Sequence, residues 1–592
     1  MRILSIIPLT KIPLPAPQVL DYFSSKDAAP GGVAQISLGS RKLLGIVIAS
    51  TPVGEKKQAI KKSSFRLKSV EKIISHAALI PKAHLKLIIW ASQYYYSPLG
   101  LVAKALLPRY FAKPTKQFLL ELSQFNLGFA KIKTRLSIVP ELYKIGLLQN
   151  RNPEFKHATI VHGGISSRQE WAIWKAARQG QLQDILGTRS VLAIAPASLA
   201  RIAVYDAESP YHKSFDQQPY INAKNMALKL AEFTEAKTIY RTTFPMQEPC
   251  VNLDIVDMRE EIKNGNYSIF SKALQMKLTA IITNNKQAIL FINRKGLASG
   301  LVCRDCGNII KCPNCDVPLV FHDSRILLCH HCAVKQNPPS VCPGCQSYKI
   351  KFIGTGTERV RNELLKFLPG ALSKRLDLDT ALKWERQKEI FADFCSKKFN
   401  VLIGTQLLLK EGLLPKVDLA AIITVDPLLS LPDFRMGEQV AKIIDMLARS
   451  AKNLIIQTYK PDIDIFKCLR EYGIGQFYNL WMTQELEDRR ALFFPPFSQI
   501  IKLVYAHKDP LRAEREAKVL KNKIQIQAAN YQLPITNYQL LGPFPAFISR
   551  VKSRYIWQIM IKSSIEDLRL RNKLLSMVPS DWKVDVDPVE ML

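Results

Sequence analysis

The residues with the clearest chemistry are cysteines. Eight of the 11 in the chain form four successive Cys-x-x-Cys pairs, namely Cys303 and Cys306, Cys312 and Cys315, Cys329 and Cys332, and Cys342 and Cys345. Two residues between thiolates allow a tight turn in which both sulfurs face one tetrahedral Zn²⁺, and two such turns complete a closed site. The spacing therefore predicts two structural zinc ions rather than a disulfide framework or a redox pair. It leaves open whether neighbouring pairs share an ion or the outer pairs enclose the inner ones.

The sequence lacks a common nucleotide-phosphate motif, but its charge favours binding to polyanions. The motif G-x-x-x-x-G-K-[ST], whose backbone amides and lysine hold nucleotide phosphates, does not occur in the sequence. The chain is nevertheless strongly basic, with 83 Lys and Arg against 50 Asp and Glu and a formal net charge of +33. Such a surplus attracts polyanions, because binding them releases counterions. Nucleic acid is therefore the predicted partner.

The elements that must position these groups are those of a multidomain α/β protein. Short apolar, β-branched runs such as QAILFIN (287–293), NVLIGTQ (400–406) and LAAIITVDP (419–427) alternate with helical patterns, which is typical of parallel sheets covered on both faces. The first 110 residues predict a small β-rich domain. The sequence has no apolar run long enough to span a membrane, and its start predicts a strand rather than a signal peptide. A cytoplasmic location, where thiols stay reduced, is expected.

Several motifs together resemble one family. They are FINRKGLASGLVCRDCGNIIKCPNCDVPLVFH (291–322), GTGTERV (354–360), a partial LDLDT (376–380), VLIGTQLLLKEG (401–412), PDFR (432–435) and LGPFPAFISRVKSRYIWQ (541–558). In these motifs the chain resembles the primosomal protein N′ (PriA) family of superfamily 2 replication-restart DNA helicases. VHGG (161–164) and ILGTRS (185–190) extend the resemblance toward the amino terminus. The resemblance implies two RecA-like helicase lobes, an inserted zinc module and an α+β carboxyl-terminal domain.

The resemblance also implies the domain boundaries. They are a 3′-end DNA-binding domain at 1–110, a degenerate first lobe at 111–250, the start of the second lobe at 251–302, the zinc module at 303–346, the rest of the second lobe at 347–465 and a carboxyl-terminal domain at 466–592. In that family the outer cysteine pairs hold one zinc ion and the inner pairs hold the other. By resemblance, Cys303, Cys306, Cys342 and Cys345 share one ion, and Cys312, Cys315, Cys329 and Cys332 share the second.

The family's 3′-end pocket has matching positions here. They are Leu20, Asp21, Tyr22, Gly39 and Lys68. Asp21 is suited to accept a hydrogen bond from a ribose hydroxyl, Gly39 to admit close backbone approach, and Lys68 to meet phosphate. Leu20 replaces an aromatic residue, which weakens base stacking. The alternative is that Asp21 and Lys68 are ordinary surface charges.

The motor motifs of the family are altered. RYFAKPTK (109–116) stands in place of the phosphate loop and has no glycine, while Asp206-Ala207-Glu208-Ser209 replaces Asp-Glu-Glu-His. Asp206 and Glu208 are remnants of the acidic box, but the carboxylate that orients the attacking water is lost at Ala207. RTTFP (241–245), KEGLLP (410–415) and MLARSAKN (446–453) also depart from their family counterparts. The family's winged-helix domain is expected to be absent, and ATP with Mg²⁺ is not an expected cofactor.

Other motifs predict contacts with DNA. Arg189 in GTRS (187–190) and the turn in GTQ (404–406) match motifs that touch the DNA backbone, although tight strand-to-helix turns explain both equally well. Arg550, Lys552 and Arg554, interleaved with Tyr555 and Trp557, suit junction DNA; a basic, solvated hairpin is the alternative.

These features predict a protein that binds branched or 3′-ended DNA at stalled forks in primosome assembly, without unwinding DNA. Single-stranded-DNA-binding protein and primosome components are the expected protein partners. Two other functions remain open: an active ATP-dependent 3′-to-5′ helicase with divergent motifs, and a zinc-containing nucleic-acid-binding scaffold without fork preference.

Overall fold

The structure is a computed structural model. It describes residues 1–55, 67–125, 127, 132–214, 217–241, 251–293, 300–303, 310–314, 319–321, 326–329, 334–348, 350–353, 356–377, 380–381, 384–409, 414–431, 433–530, 538–564 and 568–591. None of the helices in these ranges is long and apolar enough to cross a membrane.

An antiparallel sheet forms the amino-terminal domain. Its strands are β1 (Arg2–Pro8), β2 (Leu20–Ser24), β3 (Val33–Leu38), β4 (Arg41–Pro52) and β5 (Lys72–Ser75), in the order β2-β1-β4-β3-β5. Only Gly39 and Ser40 join β3 to β4, and Gly39 has a φ of 63°. A glycine at the first central position suits the type II′ turn of a two-residue hairpin. The β-rich character predicted for this region is confirmed.

Four helices lead from this sheet to the next domain. They are α1 (Lys82–Tyr94), α2 (Leu99–Ala105), α3 (Arg109–Ala112) and α4 (Lys116–Gln124). Helix α1 buries Leu85, Leu87, Ile88 and Ala91 on one face, and it packs on a helix of the next domain.

A five-stranded parallel sheet forms the first lobe. Its strands are β6 (Thr134–Ile138), β7 (Thr159–Val161), β8 (Asp184–Gly187), β9 (Leu199–Tyr205) and β10 (Lys237–Arg241), in the order β10-β9-β6-β8-β7. Its helices are α5 (Leu142–Arg151), α6 (Ser167–Arg178) and α7 (Ala223–Thr234), with short 3₁₀ helices at Pro153–Phe155, Arg189–Ala193 and Pro210–His212. The capping box of Ser166 and Gln169 starts α6.

The second lobe is a six-stranded parallel sheet in the order β11-β21-β20-β12-β19-β18. Its strands are β11 (Asn252–Asp257), β12 (Ala288–Phe291), β18 (Ser373–Leu376), β19 (Val401–Gly404), β20 (Val417–Ile422) and β21 (Ala451–Thr458). All four residues of β12 and of β19 are buried, because helices cover both faces. The two predicted parallel sheets are confirmed.

The helices of the second lobe cover its sheet from both sides. They are α8 (Met258–Lys263), α9 (Lys272–Thr283), α10 (Gly356–Phe367), α11 (Trp384–Cys395), α12 (Asp426–Leu429), α13 (Met436–Ser450) and α14 (Asp464–Ala491), with a 3₁₀ helix at Gln406–Leu409. Phe477 and Trp481 of α14 pack in this lobe's core. The boundary predicted between residues 465 and 466 therefore falls inside α14, whose first half belongs to the second lobe.

Short strands between β12 and β18 build the cysteine-rich module. They are β13 (Gly300–Cys303), β14 (Val320–Phe321), β15 (Leu327–Leu328), β16 (Lys335–Gln336) and β17 (Ile350–Ile353). Strands β13 and β17 pair antiparallel where the module leaves and rejoins the second lobe, and β14, β15 and β16 form a separate sheet. The module is thus an insertion between two strands of the lobe.

The carboxyl-terminal domain is an antiparallel sheet in the order β23-β24-β22-β25, packed against helix α15 (Pro510–Asn530). Its strands are β22 (Gln499–His507), β23 (Tyr538–Val551), β24 (Arg554–Ser563) and β25 (Lys583–Val586), and a last helix is α16 (Leu568–Leu575).

One continuous apolar core joins three of these parts. Ile7 of the amino-terminal sheet, Leu136 of the first lobe and Leu503 of the carboxyl-terminal sheet belong to the same buried cluster. Both faces of the second lobe have clusters of their own. The amino-terminal domain, the first lobe and the carboxyl-terminal domain therefore form one packed unit.

A buried polar contact reinforces that unit. Lys213 of the first lobe donates to Asp585 Oδ1 at 2.7 Å and to the carbonyl oxygen of Asp587 at 2.6 Å. Tyr94 of α1 donates its hydroxyl proton to Asp587 Oδ2 at 2.9 Å. Burial lowers the pKa of Lys213, whereas the carboxylate of Asp585 opposes that effect. Three parts of the chain meet at this one segment.

Candidate nucleic-acid interface

The residues predicted for the 3′-end pocket lie at one end of the amino-terminal sheet. Asp21 faces Ser5 across the β1–β2 pairing, and the Ser5 hydroxyl donates to Asp21 Oδ1 at 2.6 Å. The backbone N–H of Phe23 donates to the carbonyl oxygen of Lys68 at 2.9 Å, which holds residue 68 beside β2. The sheet thus brings Asp21 and Lys68 to neighbouring positions, although the sequence separates them.

Gly39 and Lys68 meet directly. The Lys68 ammonium donates to the carbonyl oxygen of Gly39 at 3.4 Å. A Cβ added at Gly39 would meet nothing within 4 Å, so the space over this turn is open. Lys68 itself is exposed. The turn therefore offers an exposed cation beside backbone that another molecule can approach closely.

Tyr22 has a different place from the one that the resemblance suggests. Its side chain is only 4% exposed and packs with Leu4, Ile36 and Val47 in the core beneath the sheet. Its hydroxyl donates to the carbonyl oxygen of Ser37 at 3.1 Å, and burial raises its pKa. Tyr22 therefore supports the pocket from below and has no exposed ring face for a base. Leu20, at the start of β2, is half-buried against the same core.

A carboxylate that the sequence gave no reason to select also lies at this pocket. Glu71 accepts from the Ser37 hydroxyl at 2.6 Å and from the Lys42 ammonium at 3.1 Å. The Ser37 hydrogen bond, followed by Lys42, lowers the pKa of Glu71, and the charge of Lys68 acts in the same direction. This part of the amino-terminal domain thus combines carboxylates with lysines, and that combination suits a ligand with both hydroxyl and phosphate groups.

The carboxyl edge of the first lobe's sheet gathers the remaining predicted residues of that lobe. Gly187 ends β8, and a Cβ there would lie 1.8 Å from the carbonyl oxygen of Val161, so only glycine fits between the strands. Arg189 follows on a 3₁₀ helix and is exposed. Asp206 follows β9 at the same edge, with a φ of 47°.

Asp206 is held by an internal cation. Its Oδ2 lies 2.6 Å from the ammonium of Lys144 on α5, and both side chains are about 95% buried, at 3% and 5% exposure. Glu208, by contrast, is exposed. A carboxylate that binds Mg²⁺ must offer its oxygen to the metal. Here a lysine ammonium neutralises that carboxylate.

The segment that would hold the phosphates has no strand before it. Residues 109–116 comprise α3 and the start of α4, and the Thr115 hydroxyl accepts from the Phe118 N–H at 3.1 Å as the amino-terminal cap. The last strand before α4 is β5, which pairs with β3 of the amino-terminal sheet. Within residues 67–125, all of them described, the strand–loop–helix unit that cradles phosphates is therefore not formed. No β-hairpin of a winged helix lies in this range either.

In the second lobe, the two basic residues of MLARSAKN (446–453) are engaged in ion pairs. Arg449 at the end of α13 contacts Asp445 through Nη2 at 2.7 Å, and Lys452 lies 3.0 Å from Asp418. Thr405 is buried after β19, whereas Gln406 is exposed. Residues 242–245, 410–413, 354–355, 378–379 and Pro432, which belong to other predicted motifs, lie outside the described residues.

The cysteine module shows the local geometry of metal-binding turns at two positions. The backbone N–H of Asn314 donates to Cys312 Sγ at 3.4 Å, and that of Gly344 donates to Cys342 Sγ at 3.3 Å. Hydrogen bonds from amides two residues on stabilise a thiolate. Cys312, Cys329 and Cys342 are buried, whereas Cys345 is exposed. Cys306, Cys315 and Cys332 lie outside the described residues, as does the side chain of Cys303.

The basic hairpin of β23 and β24 rests on this module. Its turn residue Ser553 donates its backbone N–H to the carbonyl oxygen of Asn314 at 2.7 Å, and Val551 packs against the module's core. Lys552 and Ser553 both have positive φ, as a type I′ turn requires. Lys552 and Arg554 are exposed, and Arg550 lies 5.8 Å from the ring of Tyr555.

Family models match three parts of the chain, in the order of the domains just described. Residues 11–108 match the PriA 3′ DNA-binding domain, residues 312–336 the Cys-rich region of the PriA DNA helicase, and residues 490–589 the carboxyl-terminal domain of primosomal protein N. The chain belongs to the PriA family. The zinc-ribbon match of the PriA family spans Cys312, Cys315, Cys329 and Cys332, the four inner cysteines.

Curated PriA proteins align with most of the chain. The replication restart protein PriA of Bacillus subtilis is 29% identical over 73% of this chain and 56% of its own length. That of Synechocystis is 30% identical over 77% of this chain and 59% of its own length, and that of Thermotoga maritima is 27% identical over 78% and 64%. The chain therefore spans less than two thirds of the length of these PriA relatives.

Two solved structures are similar to the chain at lower sequence identity than the PriA relatives. Yeast Dbp5 bound to RNA and ADP BeF3 is 11% identical, with a TM-score of 0.30, over 70% of this chain and 98% of that one. The Mycobacterium smegmatis helicase Lhr bound to single-stranded DNA and AMP-PNP is also 11% identical, with a TM-score of 0.30, over 67% of this chain and 50% of that one.

Like Glu71, the residues Lys144 and Asn314 of this PriA-family chain were not indicated by sequence patterns. Lys144 is 62 positions from Asp206, and Asn314 is 239 positions from Ser553. Neither residue belongs to a motif with its partner. Only the folded arrangement of α5 beside β9, and of the hairpin on the zinc module, brings these pairs together.

Proposed function

We propose that this chain binds branched or 3′-ended DNA at stalled forks, in primosome assembly and replication restart, and that it does so without ATP-driven unwinding. The observation that carries DNA binding is the contact of Lys68 with Gly39, beside the strand that bears Asp21, in the domain that matches the PriA 3′ DNA-binding family model. Asp21 would accept from the terminal ribose hydroxyl, Gly39 would admit the sugar, and Lys68 would meet the phosphate.

The observation that carries the loss of the motor is the buried pair of Lys144 and Asp206. A phosphoryl-transfer site works by positioned charge: backbone amides and a lysine around the phosphates, and carboxylates on Mg²⁺. In this chain the one remaining buried carboxylate at that edge already has a cation, and the helix at 116 begins without a preceding strand of the same sheet. Both features support the proposal that the chain binds DNA with a helicase-like fold but does not hydrolyse ATP.

Two structural zinc ions fit the cysteine module. The inner set would be Cys312, Cys315, Cys329 and Cys332, and the outer set Cys303, Cys306, Cys342 and Cys345. Four thiolates close a tetrahedral site and leave no open position for chemistry, so the metal would hold the fold. Protein partners such as single-stranded-DNA-binding protein and primosome components belong to the same proposal.

The first test is ATP hydrolysis by the zinc-loaded chain, with and without a fork carrying a leading-strand 3′ end. We expect no turnover in either case, together with tighter binding of the fork than of linear duplex at the same salt concentration. Turnover that the fork stimulates and Asp206→Asn abolishes would establish a divergent helicase instead. Equal affinity for fork and duplex would establish a scaffold without fork preference.

The 3′-end pocket has its own variant and control. Lys68→Ala removes a charge-assisted contact to phosphate, so we expect affinity for a single strand with a free 3′ hydroxyl to fall by roughly tenfold or more. Lys72→Ala removes an equally exposed lysine from β5 of the same sheet and should change affinity much less. Equal losses for the two variants would mean that Lys68 contributes only general charge.

A further inference from the structure

The long hairpin of the carboxyl-terminal domain contains an irregularity that exposes one aromatic ring. Pro545 pairs with Trp557, and the next paired residues are Arg550 and Tyr555. Strand β23 therefore advances five residues where β24 advances two. Bulges of this kind turn a side chain away from the face that the strand's alternation would give it. Phe547 lies within the bulge and is 59% exposed.

The charged side chains of the hairpin itself have one sign. The hairpin sequence from 538 to 563 contains no Asp or Glu. Arg550 pairs with Tyr555 beside the bulge, and Lys552 and Arg554 are exposed at the turn that follows. The hydrogen bond from Ser553 to Asn314, at 2.7 Å, holds the turn on the zinc module. Three cations of a hairpin that has no acidic residue of its own thus lie close in sequence to an exposed aromatic ring.

This combination favours a nucleobase over a protein surface. Protein docking sites are contiguous apolar patches of a few hundred Å², whereas here one exposed ring lies in a bulge that basic residues follow. Nucleic-acid sites combine a basic track for phosphates with aromatic rings on which bases stack. Side chains that project in this way also act as wedges at distorted base steps. The hairpin presents both parts at one place.

Resting on the proposed function, we propose that Phe547 stacks on an unpaired base at the junction of single- and double-stranded DNA, while Arg550, Lys552 and Arg554 hold the adjoining phosphates. The ring would then mark the branch point, and the 3′-end pocket would hold the strand terminus. Because Phe547 is exposed, replacing it should leave the fold intact.

The experiment uses the full zinc-loaded chain and a set of forks that carry 2-aminopurine at successive positions across the junction. We expect the protein to change the fluorescence strongly at one junction position. Phe547→Leu, which keeps an apolar side chain without a π face, should abolish that change and weaken fork binding by about tenfold. Phe547→Trp should restore both. Leu541→Ala, at an exposed apolar residue of the same strand, is the control and should behave as the unaltered chain.

The outcomes separate this inference from the proposed function. If the unaltered chain binds the fork and Phe547→Leu leaves both affinity and fluorescence unchanged, the stacking inference is wrong and fork binding stands; a hairpin that serves an acidic protein partner would give this result. If Phe547→Leu weakens fork and linear duplex equally, the ring has no junction role and the inference is also wrong. If the unaltered chain does not prefer the fork, the proposed function fails together with the inference.

Discussion

His84 carries a buried, neutral imidazole at a helix junction. It is 1% exposed on α1, and its Nε2–H donates to the carbonyl oxygen of Leu106 at 2.7 Å, after the end of α2. Burial lowers its pKa to about 4, and the charge of Arg178 acts in the same direction, against the Leu106 hydrogen bond. The unfolded chain, with an ordinary histidine pKa, binds this proton roughly 300-fold more tightly than the folded chain.

The first prediction concerns pH at this residue. Between about pH 6.5 and the folded pKa of about 4, the unfolded state binds more protons than the folded state, so stability falls as pH is lowered through this window. From pH 7 to pH 5 the loss attributable to His84 is about 2 kcal/mol. Thermal melts of the unaltered chain and of His84→Gln measure it: the variant should lose less stability than the unaltered chain over that interval.

The control for the pH effect is His157→Gln, because His157 is exposed. It should lose stability between pH 7 and pH 5 just as the unaltered chain does. If His84→Gln and the unaltered chain had the same pH dependence, acid sensitivity would arise from other groups.

Among individual residues, the sequence predicted those functional groups whose partners lie close to them along the chain. The four Cys-x-x-Cys pairs are local, since a turn of two residues determines where both sulfurs point. The pair of Lys144 and Asp206 is not local: the strands β7, β8 and β9 and the helix α6 separate the partners along the chain. The sequence also suggested Tyr22 for DNA contact, whereas its ring lies in the core. Strand β2 has only five residues, and the alternation of apolar and polar side chains along it did not indicate which of its faces is buried.

Among elements, the basic hairpin and the zinc module depend on each other. Ser553 donates to Asn314, the second residue after Cys312, and Val551 packs against the core that contains Cys312 and Cys329. A structural zinc site supplies much of the folding free energy of a small module. Loss of the metal should therefore release the hairpin turn as well as the module.

The second prediction tests that dependence by hydrogen exchange. Chelation of zinc should accelerate amide exchange at residues 552–555, whereas the amides of β1 should keep their protection. Asn314→Ala keeps every cysteine and the carbonyl oxygen that accepts from the Ser553 amide, and it removes only the hydrogen bond from Ser553 Oγ to Asn314 Oδ1. It is the control and should leave both the metal content and the exchange at Ser553 unchanged. Unchanged exchange at 552–555 after complete removal of zinc would mean that the hairpin is stable without the module.

Element types were easier to predict than element limits. Continuous apolar runs such as 288–291 and 401–404 indicated buried parallel strands, and both are strands of the second lobe. The limit predicted at residue 465 lies inside α14, because this helix continues from the lobe's core toward the next domain. No glycine- or proline-rich linker marks where one core ends and the next begins.

For the whole molecule, the apolar clusters determine which parts unfold together, and they do not follow the order of the domains along the chain. The amino-terminal domain, the first lobe and the carboxyl-terminal domain share one apolar cluster, and the second lobe has its own. Groups that share a core unfold together, since exposing one part removes contacts from the others. The chain should therefore behave as two cooperative units.

The third prediction follows for calorimetry. We expect two thermal transitions. Leu503→Ala, in the shared core, should lower the midpoint of one, and Leu454→Ala, in the second lobe, should lower the midpoint of the other. Each substitution leaves a cavity at a fully buried leucine and costs about 2–5 kcal/mol. A single transition that both variants shift equally would mean that the lobes unfold as one.

The shared core also fixes the distance between the two proposed DNA contacts. The turn at Gly39 and the hairpin that bears Phe547 belong to parts that pack into that one cluster, with the buried Lys213 contact between first lobe and carboxyl-terminal domain beside it. The interval between them is therefore fixed by the protein. A DNA bound at both places must therefore have a set number of nucleotides between its strand terminus and its branch point. Forks with longer or shorter gaps would bind at only one of the two places.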